Sequence, residues 1–301
     1  MATNNDAPSS RLEEIIVVGK RPGPPLWKVE SKTGVLWIFG TLSPLPKSLT
    51  WDSSSVEWII SQADEFLGPP GIYAGVSNPI AGIGAYRKYK KLQKNPAGGK
   101  LDSLLEPDLV TKLMAAIDQL KASKRKILRL RPSVAAQQLH QDAYKTVGLT
   151  DDKKITKALQ KIAKRSKVKV TDARVRIDIK EGLSAFADTA MEAEVKCLSQ
   201  TLDALNTDLD ASLERSLAWV GGDTHLLYAL DYPDLQKSCF NNLYTAEVAT
   251  QARQQSLRQW LTNAREALEK NKVSFAYLSV RQLVRPDGLL TKLANLGYKI
   301  N

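Results

Sequence analysis

What most constrains the fold of this chain is a pair of apolar runs set near its opposite ends. One is Val35-Leu36-Trp37-Ile38-Phe39, closed by Gly40; the other is Val273-Ser274-Phe275-Ala276-Tyr277-Leu278. Runs this short, β-branched and aromatic, and bounded by turn residues, read as strands, the second as a buried one. Residues 26–29 and 15–18 are further β-rich runs near the start, and residues 298–300 close the chain as a last strand. The C-terminal end therefore returns to the sheet that the N-terminal end begins.

Between them, from Leu101 to about Lys272, the pattern is helical. Apolar positions recur at three-and-four spacing over residues 104–120, 134–144, 154–163, 192–219 and 246–268, with one β-branched run, 167–171, able to add a strand. The expectation is an α/β (α+β-like) fold: a central mixed β-sheet built from N- and C-terminal segments, carrying a large helical middle layer. Residues 1–25 read as a partly flexible extension, and 26–301 as one domain with a helical insertion at about 101–272. Asp52 stands as an N-cap ahead of Val56, Ile59, Ile60 and Ala63, followed by a strand over 64–67. Gly68-Pro69-Pro70-Gly71 and the glycines up to Gly84 read as a loop or lid, because such a density of breakers disfavours a regular element. Asp287 reads as the cap of a short helix through Leu293.

With 301 residues and 43% apolar content the chain can bury a substantial core. Its longest apolar runs fall short of the ~20 residues a bilayer-spanning helix needs. Met1 to Ser10 lacks the basic start and apolar centre of a secretory signal. The setting is then either periplasmic or secreted with a leader removed, or cytoplasmic. The two cysteines bear on this choice. A Cys197–Cys239 bridge would clamp a helical hairpin, restrict the unfolded chain by about 4 kcal/mol, and imply an oxidising compartment; two buried thiols are the other reading.

Lys plus Arg number 43 against 32 Asp plus Glu, a net of +11, concentrated at 87–94, 121–131 and 153–169. These stretches also carry helical apolar spacing, so solvated helix faces account for them. Nucleic acid is the weaker partner, since only Tyr86 and Tyr89 stand near a basic stretch to stack bases. An anionic polysaccharide or a lipid headgroup demands less geometry.

Several chemistries are disfavoured. His140 and His225 are the only histidines, far apart and without metal-type spacing, and each reads as a partly buried helix residue. No Gly-x-Ser-x-Gly elbow surrounds Ser43, and Gly82-Ile83-Gly84 and Gly98-Gly99 lack the context of a phosphate loop.

Leu26-Trp27-Lys28-Val29, Phe39-Gly40-Thr41-Leu42 with Leu45-Pro46 beyond it, and Pro286-Asp287-Gly288-Leu289-Leu290 with Gly297-Tyr298 together resemble the TraB/GumN family, relatives of the Tiki-type metal-dependent peptidases. Cys197-Leu198, Ala218-Trp219, Gly222-Asp223 and Tyr232-Pro233 add to the likeness, which runs from Leu26 to Ile300. The resemblance implies a Gly-x-x-His motif after an early strand and another after a late one, a nearby carboxylate, and a shared divalent metal such as zinc or manganese that activates water. This chain departs at each such place. Ser43 and Gln282 stand where the histidines are expected, Ser279 and Arg281 replace glycines, and Pro69 falls near the glutamate, leaving Asp64 and Glu65 as the nearest carboxylates. The crevice would then be framed by Gly40, Ser43, Asp64, Glu65, Ser279, Arg281, Gln282 and Arg285. Arg281 and Arg285, on a loop before the last helix, either suit it to an acidic ligand or plug it.

The expectation is a non-catalytic family member that holds no cofactor and binds an anionic glycan or an envelope or export protein in polysaccharide production. The alternatives are a metal-dependent hydrolase using Asp64, Glu65 and Gln282 around a harder ion, and a basic nucleic-acid or anionic-polymer binder.

Overall fold

The computed structural model describes residues 23–76, 78–150, 153–230 and 247–301. The expected strand over 15–18, Tyr232-Pro233 and Cys239 lie outside the described residues.

The chain opens with β1 (Leu26–Glu30) and β2 (Val35–Thr41), an antiparallel pair joined by a tight turn. In that turn Ser31 and Thr33 donate their hydroxyls to the Leu268 carbonyl, at 2.7 and 2.9 Å. There follow β3 (Leu45–Pro46), α1 (Ser54–Gln62), β4 (Glu65–Leu67), β5 (Ile72–Gly75) and α2 (Pro79–Leu92). The N-cap position of α1 is Ser53, one residue later than expected; Asp52 instead accepts the Ser54 amide at 2.9 Å.

The glycine-rich segment is more ordered than its breakers suggest. Residues 68–71 turn the chain from β4 into β5. α2 then runs straight through Gly82 and Gly84, started by Asn78, whose side chain accepts the Ala81 amide at 2.8 Å, and by Pro79 at its first position.

The helical middle comprises α3 (Pro107–Gln119), α4 (Lys124–Ile127), α5 (Pro132–Thr146), α6 (Lys154–Arg165), α7 (Ile179–Ala187), α8 (Met191–Gly221), α9 (Thr224–Ala229) and α10 (Glu247–Lys270). Three short strands interrupt it: β6 (Leu149–Thr150), β7 (Lys169–Thr171) and β8 (Val175–Asp178). The chain ends with β9 (Val273–Ser279), α11 (Val280–Val284), α12 (Leu289–Asn295) and β10 (Lys299–Ile300). α12 is preceded by Gly288 at its N-cap, not by Asp287.

The main sheet has the order β10-β1-β2-β9-β4-β7, antiparallel through β10, β1 and β2 and parallel from β2 through β7. Both ends of the chain thus supply its centre, as the two apolar runs require. β9 is buried at five consecutive positions because it lies in the middle of the sheet, with Phe66 of β4 stacked on Phe275 at 5.6 Å. β7 makes the middle segment a contributor to the sheet. β5 and β8 form a two-stranded parallel extension beyond β4 and β7, and β3 pairs with β6. Ser256 of α10, fully buried, ties the two crossings into that extension: its hydroxyl accepts the Gly71 amide at 2.6 Å and donates to the Ala173 carbonyl at 2.7 Å.

Two apolar cores result. One lies around the sheet, α1, α6 and α10; the other is helical, built by α3, α4, α5 and the first half of α8. α8 joins them, giving Cys197, Leu198 and Leu205 to the second and Ala218 and Trp219 to the first.

Candidate functional site

β2 and β9 run side by side in parallel register, with Gly40 opposite Leu278 and Thr41 opposite Ser279, so the early and late strand ends finish at one edge. This is where a shared crevice is expected. Gly40 does not turn the chain there; it remains within β2, and a Cβ on it would lie 2.6 Å from the Trp27 ring and 3.0 Å from a Val280 methyl. Close packing demands the glycine. Its carbonyl accepts the Trp219 indole N–H at 2.6 Å, and the Ser216 hydroxyl reaches the Pro44 carbonyl at 3.2 Å. The end of α8 is therefore latched onto the first strand end.

On the late strand, Ser279 is the N-cap of α11 and Gln282 its third residue. The Ser279 hydroxyl accepts the Gln282 amide N–H at 3.3 Å, while the Gln282 side-chain oxygen lies 3.3 Å from the Ser279 amide, which donates to it, and 3.0 Å from the hydroxyl. This is a capping box. It corrects the expectation of a loop: Arg281 and Gln282 sit in a helix whose inner face, Val280, Leu283 and Val284, is buried. Gln282 and Ser43 are exposed, and Arg285, half-exposed at the C-cap of α11, stands 3.6 Å from Asp287.

The two carboxylates lie elsewhere. Glu65 begins β4 and registers with Ser274, at the start of β9. Five residues at ~3.3 Å each separate Ser274 from Ser279, so Glu65 stands about 16 Å from the strand ends that carry Ser43 and Gln282. Asp64 accepts the backbone amides of Lys272 and Val273 at 3.0 and 3.2 Å. Burial pushes the Glu65 carboxyl up, but hydrogen bonds from Thr171, Lys169 and Asn271 outweigh it and hold the group below its ordinary range. The proposed set of Asp64, Glu65 and Gln282 around a hard ion is thus divided between opposite ends of the sheet.

The residues present do not fit a zinc or manganese ion at the strand ends. One serine hydroxyl and a glutamine amide already committed to a helix cap make a poor donor set beside imidazole, thiolate or carboxylate. Among the described residues, no three His, Cys, Asp or Glu side chains come together.

His140 sits in the helical core, its Nε2 2.6 Å from Asp208, which also receives the Tyr144 hydroxyl at 3.1 Å and faces Arg215 at 3.5 Å. Burial raises the Asp208 carboxyl, and the His140 hydrogen bond and charge, Arg215 and Tyr144 together bring it below its usual value. His225 is exposed on the first turn of α9, not partly buried. Cys197 is fully buried on α8.

Trp219 and Ser216 are the residues at this site that sequence reasoning passed over. Their only signal was Ala218-Trp219, read as family likeness and not as a contact.

The geometry defines an α/β protein whose parallel sheet centre joins the two ends of the chain, with a helical layer fastened to the early strand end. The chain belongs to the TraB/PrgY/gumN family, whose model matches residues 25–301. No curated protein and no solved structure matches it. No helix among the described residues is long and apolar enough to cross a membrane.

Proposed function

We propose that this chain is a non-catalytic member of its family that works by binding, in the cell envelope or in the production and export of polysaccharide. One observation carries this reading: at the paired ends of β2 and β9, the two places expected to hold a metal carry Ser43 and Gln282, and Gln282 is spent on capping α11. Without imidazole there, nothing grips a transition ion or lowers the pKa of a bound water toward ~7. The net charge of +11 supports an acidic partner, such as an anionic glycan.

Metal content is the test. Protein purified without chelator is expected to carry no stoichiometric zinc or manganese and to cleave no peptide, while the double variant Ser43→His/Gln282→His gains zinc binding if the strand ends keep the spacing of a ligand pair. Stoichiometric metal in the unaltered protein, lost in Ser43→Ala or Gln282→Ala, would return the chain to the hydrolases. A glycan partner predicts retention on an acidic polysaccharide that survives physiological salt.

A further inference from the structure

Beside α2 lies a cleft of about 940 Å³, at the upper end of the ~300–1,000 Å³ typical of small-molecule sites. Ile72 and Ile177 line it from β5 and β8, Phe186 from α7, and Tyr86 and Tyr89 from α2. Small residues leave it open. Gly82 and Gly182 both line it, and a Cβ on Gly182 would meet nothing within 4 Å. None of Ser43, Ser279 and Gln282 belongs to it.

One lip of the cleft is cationic. On α2, Lys88 and Lys90 flank the lining positions Ala85, Tyr86 and Tyr89, both exposed and without an ion-pair partner among the described residues, while Arg87 and Lys91 stand on the opposite side of the helix. Lys90 lies over the ring of Tyr86 at 5.6 Å, which sets its ammonium beside the apolar lining. On the α7 side the lining includes Glu181 and Asp188, and α10 adds Arg253. An apolar interior, aliphatic and aromatic, with Lys88 and Lys90 at one lip and carboxylates at the other fits a ligand with a long apolar tail and one acidic end. The carboxylates of α7 repel that end toward α2.

We propose that this cleft binds a single-chain anionic amphiphile, its acyl tail lying over Ile72 and Ile177 and its acidic head on the Lys90 lip of α2. The inference does not rest on the loss of metal chemistry, and a metal found at the strand ends would leave it standing.

Calorimetric titration of the full chain with dodecanoate, octanoate and dodecyltrimethylammonium tests it. Dodecanoate is expected to bind saturably and one to one. Octanoate, lacking four methylenes, should bind on the order of a hundredfold more weakly, and the cationic amphiphile more weakly than dodecanoate. Gly182→Leu places a side chain in the open space and should abolish binding while leaving thermal stability unchanged or raised, since leucine suits a helix better than glycine; Gly82→Leu is the second filling variant. Lys88→Gln/Lys90→Gln should weaken dodecanoate about tenfold and keep the chain-length dependence, whereas Arg87→Gln/Lys91→Gln, on the far side of α2, should leave it unchanged.

Absence of saturable binding, equal binding of the cationic amphiphile, or full binding by a folded Gly182→Leu protein would overturn the proposal. If Gly182→Leu changes neither dodecanoate binding nor association with phosphatidylglycerol vesicles, the basic face of α2 is a bilayer-docking surface and the cleft assignment falls.

Discussion

At Gly40 a single hydrogen atom decides whether the Trp27 ring, a Val280 methyl and the Pro25 ring can close on the strand. Gly40→Ala would drive a methyl into the Trp27 ring and the Val280 methyl, and overpacking of this kind costs about 1–3 kcal/mol. Trp219→Phe keeps the bulk but leaves the Gly40 carbonyl without its donor, for about 1–3 kcal/mol. Urea denaturation should show both losses, and because the two residues share one contact site the double variant should lose less than their sum. Asp208 has a different signature. Its folded carboxyl titrates below the ordinary 3.8, so the stability it contributes is present above that value and lost as pH falls through the lower folded one. Asp208→Asn leaves Arg215 and His140 without their carboxylate, at a cost of about 3–5 kcal/mol near neutrality. Denaturation curves of the variant and the unaltered protein should converge on acidification below that range. A constant gap between them would show that the carboxylate charge is not what matters.

At the scale of elements, α11 is the informative piece, because its five residues are too few to hold themselves as a helix and depend on their cap. Ser279→Ala is expected to lower stability by about 1 kcal/mol, and Gln282→Ala by a similar or smaller amount, both read from thermal unfolding. The box was visible in the sequence as Ser-x-x-Gln before an apolar run. The reading of Gln282 as the place of a lost histidine, and of Ser279 as the place of a lost glycine, obscures it. The strands of the sheet centre and the long helices were legible, since apolar periodicity is a local property. The α2 helix was hidden behind Gly82 and Gly84, although Asn78-Pro79 marks its start; with only Ala85 buried, it shows little of the stripe by which a helix is recognised. β8 was missed because four residues paired to a strand a hundred positions earlier leave no local trace. The misplacement of Glu65 has a topological cause. Nothing along the chain states that β4 starts level with the beginning of β9 rather than with its end.

The molecule as a whole is two cores pinned together by α8, whose 31 residues span about 46 Å. Cys197 lies on the helical side of that pin, fully buried. The expected Cys197–Cys239 bridge predicts that unreduced protein denatured in urea yields no titratable thiol, and that reduction releases two and lowers stability by about 4 kcal/mol or less. Two thiols before reduction would show both cysteines unbridged and remove the argument for an oxidising compartment.

The pairing of β2 with β9 sets a schedule for the newborn chain. The Thr41 hydroxyl meets the Leu278 carbonyl 237 positions further on, a stretch that a ribosome adding ~5–20 residues per second needs roughly ten to fifty seconds to deliver. Throughout that interval Ile38 and Phe39 wait with only the β1 hairpin for cover, so the emerging polypeptide should depend on chaperone shielding far more than its finished form does.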